Sequence, residues 1–147
     1  MEAAPAIVLT LTLAISSVTD LGSRRIPNLL TGPVAVVAIA LALLGLSVAP
    51  LEAIAVASML GMPLAALAII RPDGFGMGDV KLIVVMALLT GWGVWGPLVA
   101  GLGLATVVGL AIGLRDAGRE GSIALPLAPF LAAGAVPFAA ASLPLLH

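Results

Sequence analysis

What most constrains this chain is where its charges are missing. Six stretches are almost wholly apolar: Ala3 to Thr19, Leu29 to Val48, Leu51 to Ile70, Val80 to about Trp95, Pro97 to Leu114, and Ile123 to Leu146. A bilayer-spanning helix needs roughly 17–25 mostly apolar residues, because its backbone must bond to itself where no water reaches. Six such spans fit, the fourth being the shortest. The sequence therefore predicts an all-α integral membrane protein, a bundle of about six transmembrane helices. Residues 1–147 are expected to form a single polytopic membrane domain with no soluble part left over. The first stretch follows Glu2 rather than a basic start and has no convincing small-residue cleavage site before Asp20, so it reads as a retained span, not a signal peptide.

Composition removes other classes. Charged residues are 9% of the chain, against about 25% in a typical soluble domain. Net charge is −1 and no basic run exceeds two residues, so no nucleic-acid partner is expected. There is no cysteine, and the single histidine, His147, is the last residue given. A thiolate metal site, a cysteine nucleophile, a zincin and a Ser-His-Asp triad all lack their residues. No cofactor and no metal are expected.

The basic residues set a topology. Arg24 and Arg25 fall between spans one and two, Arg71 and Lys81 flank the loop between three and four, and Arg115 and Arg119 lie between five and six. The connections around Gly45–Leu51 and Gly93–Pro97 contain no Lys or Arg. All the basic residues favour one orientation, with their loops cytoplasmic and both termini outside. Trp92 and Trp95 then sit at the outer membrane face. In span five, Ala105, Gly109 and Gly113 recur every four residues, which reads as a dimerisation face or, more simply, as close packing within the bundle. Pro126, Pro129 and Pro137 predict a kink or break in span six.

Two aspartates stand out. Asp20 ends span one within DLGSRRIPN, and Asp79 opens span four within GFGMGDVK. The topology brings both to the cytoplasmic face at one depth. Two carboxylates brought together share a proton, so that one activates water as a base and the other protonates the carbonyl or leaving amine. Gly74, Gly76 and Gly78 are expected to let the chain bend into span four and a peptide approach Asp79. Pro27 ends the first helix, Asn28 caps the second, and Arg24 lies one turn beyond Asp20, near enough to tune its charge. Each feature has a plainer reading: an aspartate as a helix cap, the glycines as a turn, Lys81 as a positive-inside anchor. Asp73, Asp116 and Glu120 read as solvated charges.

DLGSRRIPNLLT (Asp20–Thr31), GMGDVKL (Gly76–Leu82) and LPLAPFLAAGA (Leu125–Ala135) resemble, in order and spacing, the three signature regions of the type IV prepilin peptidases. The likeness extends over nearly the whole chain, whose length is similar to that of the short members associated with tight-adherence (Flp-type) pili. The resemblance implies a GxGD membrane aspartic protease of the inner or plasma membrane. Such enzymes cut the short basic leader from pilin and pilin-like precursors at the cytoplasmic face. Carried over by residue, Asp20 and Asp79 would be the catalytic pair, and Gly76 and Gly78 the glycines before the second aspartate. Longer bacterial members add a cytoplasmic region with paired zinc-binding cysteines, and many methylate the new amino terminus. This chain has neither the cysteines nor that region, which puts methyltransferase activity in doubt. Presenilin-like proteases share GxGD but are larger, and their first aspartate lacks the D…RRIPN context. Two rival classes are an ion-coupled transporter, which would place its carboxylates near the midplane of inverted repeats, and a non-catalytic subunit of a pilus or secretion assembly.

Overall fold

An apolar chain must satisfy its backbone within itself, and the described residues do so almost entirely as helix, with no strand among them. The computed structural model describes residues 3–23, 28–70, 76–115 and 127–142. The helices are α1 (Ala3–Ser23), α2 (Asn28–Leu43), α3 (Pro50–Ile70), α4 (Met77–Thr90), α5 (Trp95–Arg115) and α6 (Ala128–Ser142), with a 3-10 turn over Gly91–Val94 joining α4 to α5. Each apolar stretch thus holds one helix. Among the described residues, Pro50–Ile70 and the continuous path Met77–Ile112 are long and apolar enough to cross a membrane, while Ala4–Asp20, Leu30–Leu43 and Ala128–Phe138 are shorter apolar helices. With 14 residues, α4 rises only about 21 Å against a hydrocarbon core of roughly 30 Å.

The short helix is the central one. Val80, Leu82, Ile83, Met86 and Leu89 of α4 are buried, with α3, α2 and α1 packed around them. Beyond α1 comes α6, and α5 lies on α6. The α3–α4 contact is close at Gly61, where a Cβ would stand 2.7 Å from Val84 Cγ2. The α5–α6 contact is closer still. A Cβ on Gly101 would meet Leu131 Cα at 2.8 Å and Phe130 O at 2.9 Å, and one on Gly134 would meet Pro97 O at 2.7 Å. Gly101 lies four residues before Ala105, so the small-residue repeat of α5 begins inside the bundle, against α6. This favours the packing reading of that repeat.

Most hydroxyls on α1 are satisfied locally, as an apolar surrounding favours. Thr10 donates to Ala6 O at 2.8 Å, Thr12 to Val8 O at 2.7 Å and Ser17 to Leu13 O at 2.7 Å. At the end of α2, Gly45 takes φ +70°, Leu46 N–H bonds Leu41 O at 2.9 Å, and Gly45 N–H bonds Ala42 O at 3.1 Å. That is a Schellman stop, which needs the left-handed residue glycine supplies.

Among the described residues the sixth stretch is unbroken: α6 is one helix from Ala128 to Ser142 with Pro137 inside it. Pro129 stands in the first turn, where a missing N–H leaves no helical bond unmade. Arg24, Arg25, Pro27, Arg71, Asp73, Gly74, Asp116, Arg119, Glu120, Pro126 and His147 lie outside the described residues.

Candidate active site

Three helix ends meet where the two aspartates lie. Asp20, in the last turn of α1, is 7% exposed, and its Oδ2 accepts the backbone N–H of Ala128 at 3.2 Å. Ala128 opens α6, and the first N–H groups of a helix have no partner within it. Asp20 thus caps a helix 108 residues away in sequence. The N–H groups of Phe130 and Leu131 turn instead to Leu127 O, each at 3.1 Å.

Asp79 is the third residue of α4, and Gly76 is the N-cap. Its side chain turns back onto the backbone N–H of Gly76, as the acid of a capping box does. Unlike Ser or Thr, Gly76 has no side chain to accept the Asp79 backbone N–H in return, and that N–H bonds Gly76 O at 3.0 Å. Asp79 is half-buried and lies within electrostatic reach of the Asp20 carboxylate. The fold therefore unites the two aspartates, Gly76 and the start of α6 at one end of the bundle.

Neither Gly76 nor Gly78 takes a backbone conformation that only glycine allows. Gly76 has φ −75° and ψ 142°, ordinary extended backbone, and Gly78 lies within α4. Among the described glycines only Gly45 and Gly91 have positive φ. No special dihedral distinguishes Gly76 or Gly78. The case for Gly76 is spatial: a Cβ there would stand 3.3 Å from Asp79 Oδ2, crowding the carboxylate where it folds back.

Lys81 is half-buried and lines a groove of about 370 Å³ between α2 and α4, with Thr31, Gly32, Ala35 and Val84 among the other walls. Two of its wall residues, Val80 and Lys81, directly follow Asp79 in the chain. At Gly32 a Cβ would meet nothing within 4 Å. Asn28 is the first residue of α2; Arg24 and Pro27 lie outside the described residues. No group of three or more His, Cys, Asp or Glu side chains that could hold a metal occurs among the described residues.

Sequence reasoning gave no role to Ala128, Thr31 or Ser16. The first carried a signal in the prolines before and after it, which mark a helix start; the other two carried none.

The opposite end of the bundle holds a separate contact. Glu52 Oε1 accepts the Trp92 backbone N–H at 3.2 Å, beside Gly91 with φ +53°. It ties the start of α3 to the turn between α4 and α5, far from the aspartates.

No match was found among curated proteins or among solved structures. A family model described as the type IV leader peptidase family matches residues 7–115. That span includes both aspartates, Gly76 and the groove, and ends before α6. It accounts for well over half of the chain, which therefore belongs to the type IV leader peptidase family.

Proposed function

We propose that this chain is a membrane aspartic endopeptidase that removes the short basic leader from a type IV pilin-like precursor at the cytoplasmic face of the cell membrane. The observation that carries the reading is the meeting of Asp20 and Asp79, from α1 and α4, at one end of an apolar helical bundle. One carboxylate takes a proton from water as its oxygen attacks the scissile carbonyl. The other, protonated, gives its proton to the carbonyl oxygen. Collapse of the tetrahedral adduct breaks the C–N bond, and the leaving amine takes a proton from the dyad. Ala128 N–H and Gly76 N–H orient the two side chains for this exchange. The position of both aspartates at helix ends favours a protease over an ion-coupled carrier, whose carboxylates would sit near the midplane. The decisive experiment is co-expression with the pilin precursor encoded nearest the gene, with leader removal read as a mobility shift. An unprocessed precursor with abundant enzyme in the membrane would refute the reading.

The apolar groove walled by Val80 and Lys81 suits the hydrophobic segment that follows a pilin leader. Gly32→Trp would fill it from an open position without touching either aspartate. The expected result is a KM raised about tenfold with kcat little changed, since about 1.4 kcal/mol of apolar contact corresponds to one decade. An unchanged KM would remove the groove from substrate binding.

Six spans with basic loops inside and both termini outside complete the proposal. The cysteine-free background allows a direct check. Ser47 is unsuitable for it, because its Oγ is buried; Leu46 is 43% exposed in the same loop. A cysteine at Leu46 should react with an impermeant thiol reagent added outside intact cells, and one at Ser122 should not. The reverse pattern would invert the topology and move the site to the outer face.

A further inference from the structure

Ser16 behaves unlike its neighbours on α1. Thr10, Thr12, Ser17 and Thr19 all bond back to carbonyls of their own helix. Ser16 is fully buried at 0% exposure, and its Oγ has no hydrogen-bond partner among the described residues. Buried hydroxyls without partners are uncommon, because leaving them unmade is destabilising, and each calls for a physical reason.

Its position supplies one. Leu9, Leu13, Ser16 and Asp20 form the buried stripe of α1, so Ser16 stands one helical turn below the aspartate, on the same face. Residues four apart on a helix have Cβ atoms about 6 Å apart. The hydroxyl does not bond the carboxylate directly, and a single water can join two polar groups that do not touch. Asp20 Oδ2 is already held by Ala128. A second hold from beneath would add to that bond in fixing the rotation of the carboxylate.

Resting on the aspartic-peptidase reading, we propose that Ser16 is a positioning residue for Asp20, its hydroxyl holding the carboxylate through one bridging water so that the carboxylate stays turned toward Asp79. Ser16 touches no substrate in this role. It acts through Asp20, and its loss should appear in turnover and not in substrate affinity. A serine that merely fills space predicts otherwise. Alanine would remove an unsatisfied polar atom, suit the helix better, and leave turnover unchanged.

The test uses the whole protein purified in detergent and a pilin precursor, with rates normalised to the folded fraction from size-exclusion chromatography. Ser16→Ala should lower kcat about tenfold with KM unchanged, the loss expected when a hydrogen bond to a charged group is removed. Thr12→Ala is the control. Thr12 is equally buried on the same helix, but its hydroxyl bonds Val8 O, so its kcat should stay within about twofold of wild type. A Ser16→Ala kcat within about twofold of wild type would overturn the proposal. So would a loss that falls in KM, or an equal loss in Thr12→Ala. Failure of the peptidase reading looks different: the wild-type enzyme would not cleave, or Asp20→Asn would cleave normally, whatever Ser16→Ala does.

Discussion

Asp20→Asn and Asp79→Asn should each abolish leader removal while leaving insertion and folding intact. Asparagine has nearly the shape of aspartate and keeps an oxygen that can accept the Ala128 N–H at position 20 or the Gly76 N–H at position 79. The helix contacts therefore survive. What asparagine lacks is a proton to give and an ionised form to take one. Each carboxylate does a different half of the proton transfer, so neither replaces the other. General acid–base steps contribute about 10²–10⁴-fold each, and groups acting as a unit lose nearly everything together. Either single variant should fall at least about a thousandfold, and the double variant should be no worse than the singles. Cleavage of purified precursor over a long time course measures this. A variant retaining more than about a hundredth of the wild-type rate would remove that aspartate from the dyad.

How far the sequence foreshadows this site differs between its parts. The helices are visible because charges cluster between the apolar stretches or at their ends, and each of the six stretches holds one helix. Their faces are not visible. A helix apolar all round has no stripe to mark its buried side, so the pattern along α4 does not reveal that Val80, Leu82, Ile83 and Met86 form the centre. Asp20 and Asp79 stand out because ionisable groups are rare in such a chain, and one predicted topology puts them at one end. Ala128 does not stand out, because its contribution is a backbone N–H, present at every residue but proline. Ser16 is hidden for another reason: a serine in a membrane helix normally bonds its own backbone, and only the fold shows that this one does not. The glycines of GMGD are legible as a bend, but the crowding a Cβ at Gly76 would cause is not, because it depends on where the Asp79 side chain turns. On α5 the small-residue repeat was legible, but its start at Gly101 gains meaning only from α6 lying across it.

That crossing gives the second large effect. Gly134→Ala should destabilise the protein and Gly103→Ala should not, although both replace glycine within a helix. By propensity alone each change should stabilise by about 0.5–1 kcal/mol. At Gly103 a Cβ would meet nothing within 4 Å, so the propensity gain stands. At Gly134 the new Cβ would collide with the Gly101 backbone nitrogen, with Gly101 Cα at 2.8 Å and with Pro97 O at 2.7 Å. These are backbone atoms of a neighbouring helix and cannot rotate aside as a side chain would. The helices must separate, and the contacts of Gly101 with Leu131 and of Gly96 with Phe138 open along with them. Overpacking against side chains costs about 1–3 kcal/mol, and against backbone the upper end applies. A net loss of about 2 kcal/mol corresponds to a melting temperature lower by on the order of 5 °C for a chain of this size. The same movement carries the start of α6, and with it the Ala128 N–H that holds Asp20, so kcat should fall in the fraction that remains folded. Thermal melts in detergent and rates per folded enzyme measure both effects. If Gly134→Ala melts at or above the wild-type temperature, the α5–α6 crossing is looser than these distances require, and α6 is not the rigid support of Asp20 described above.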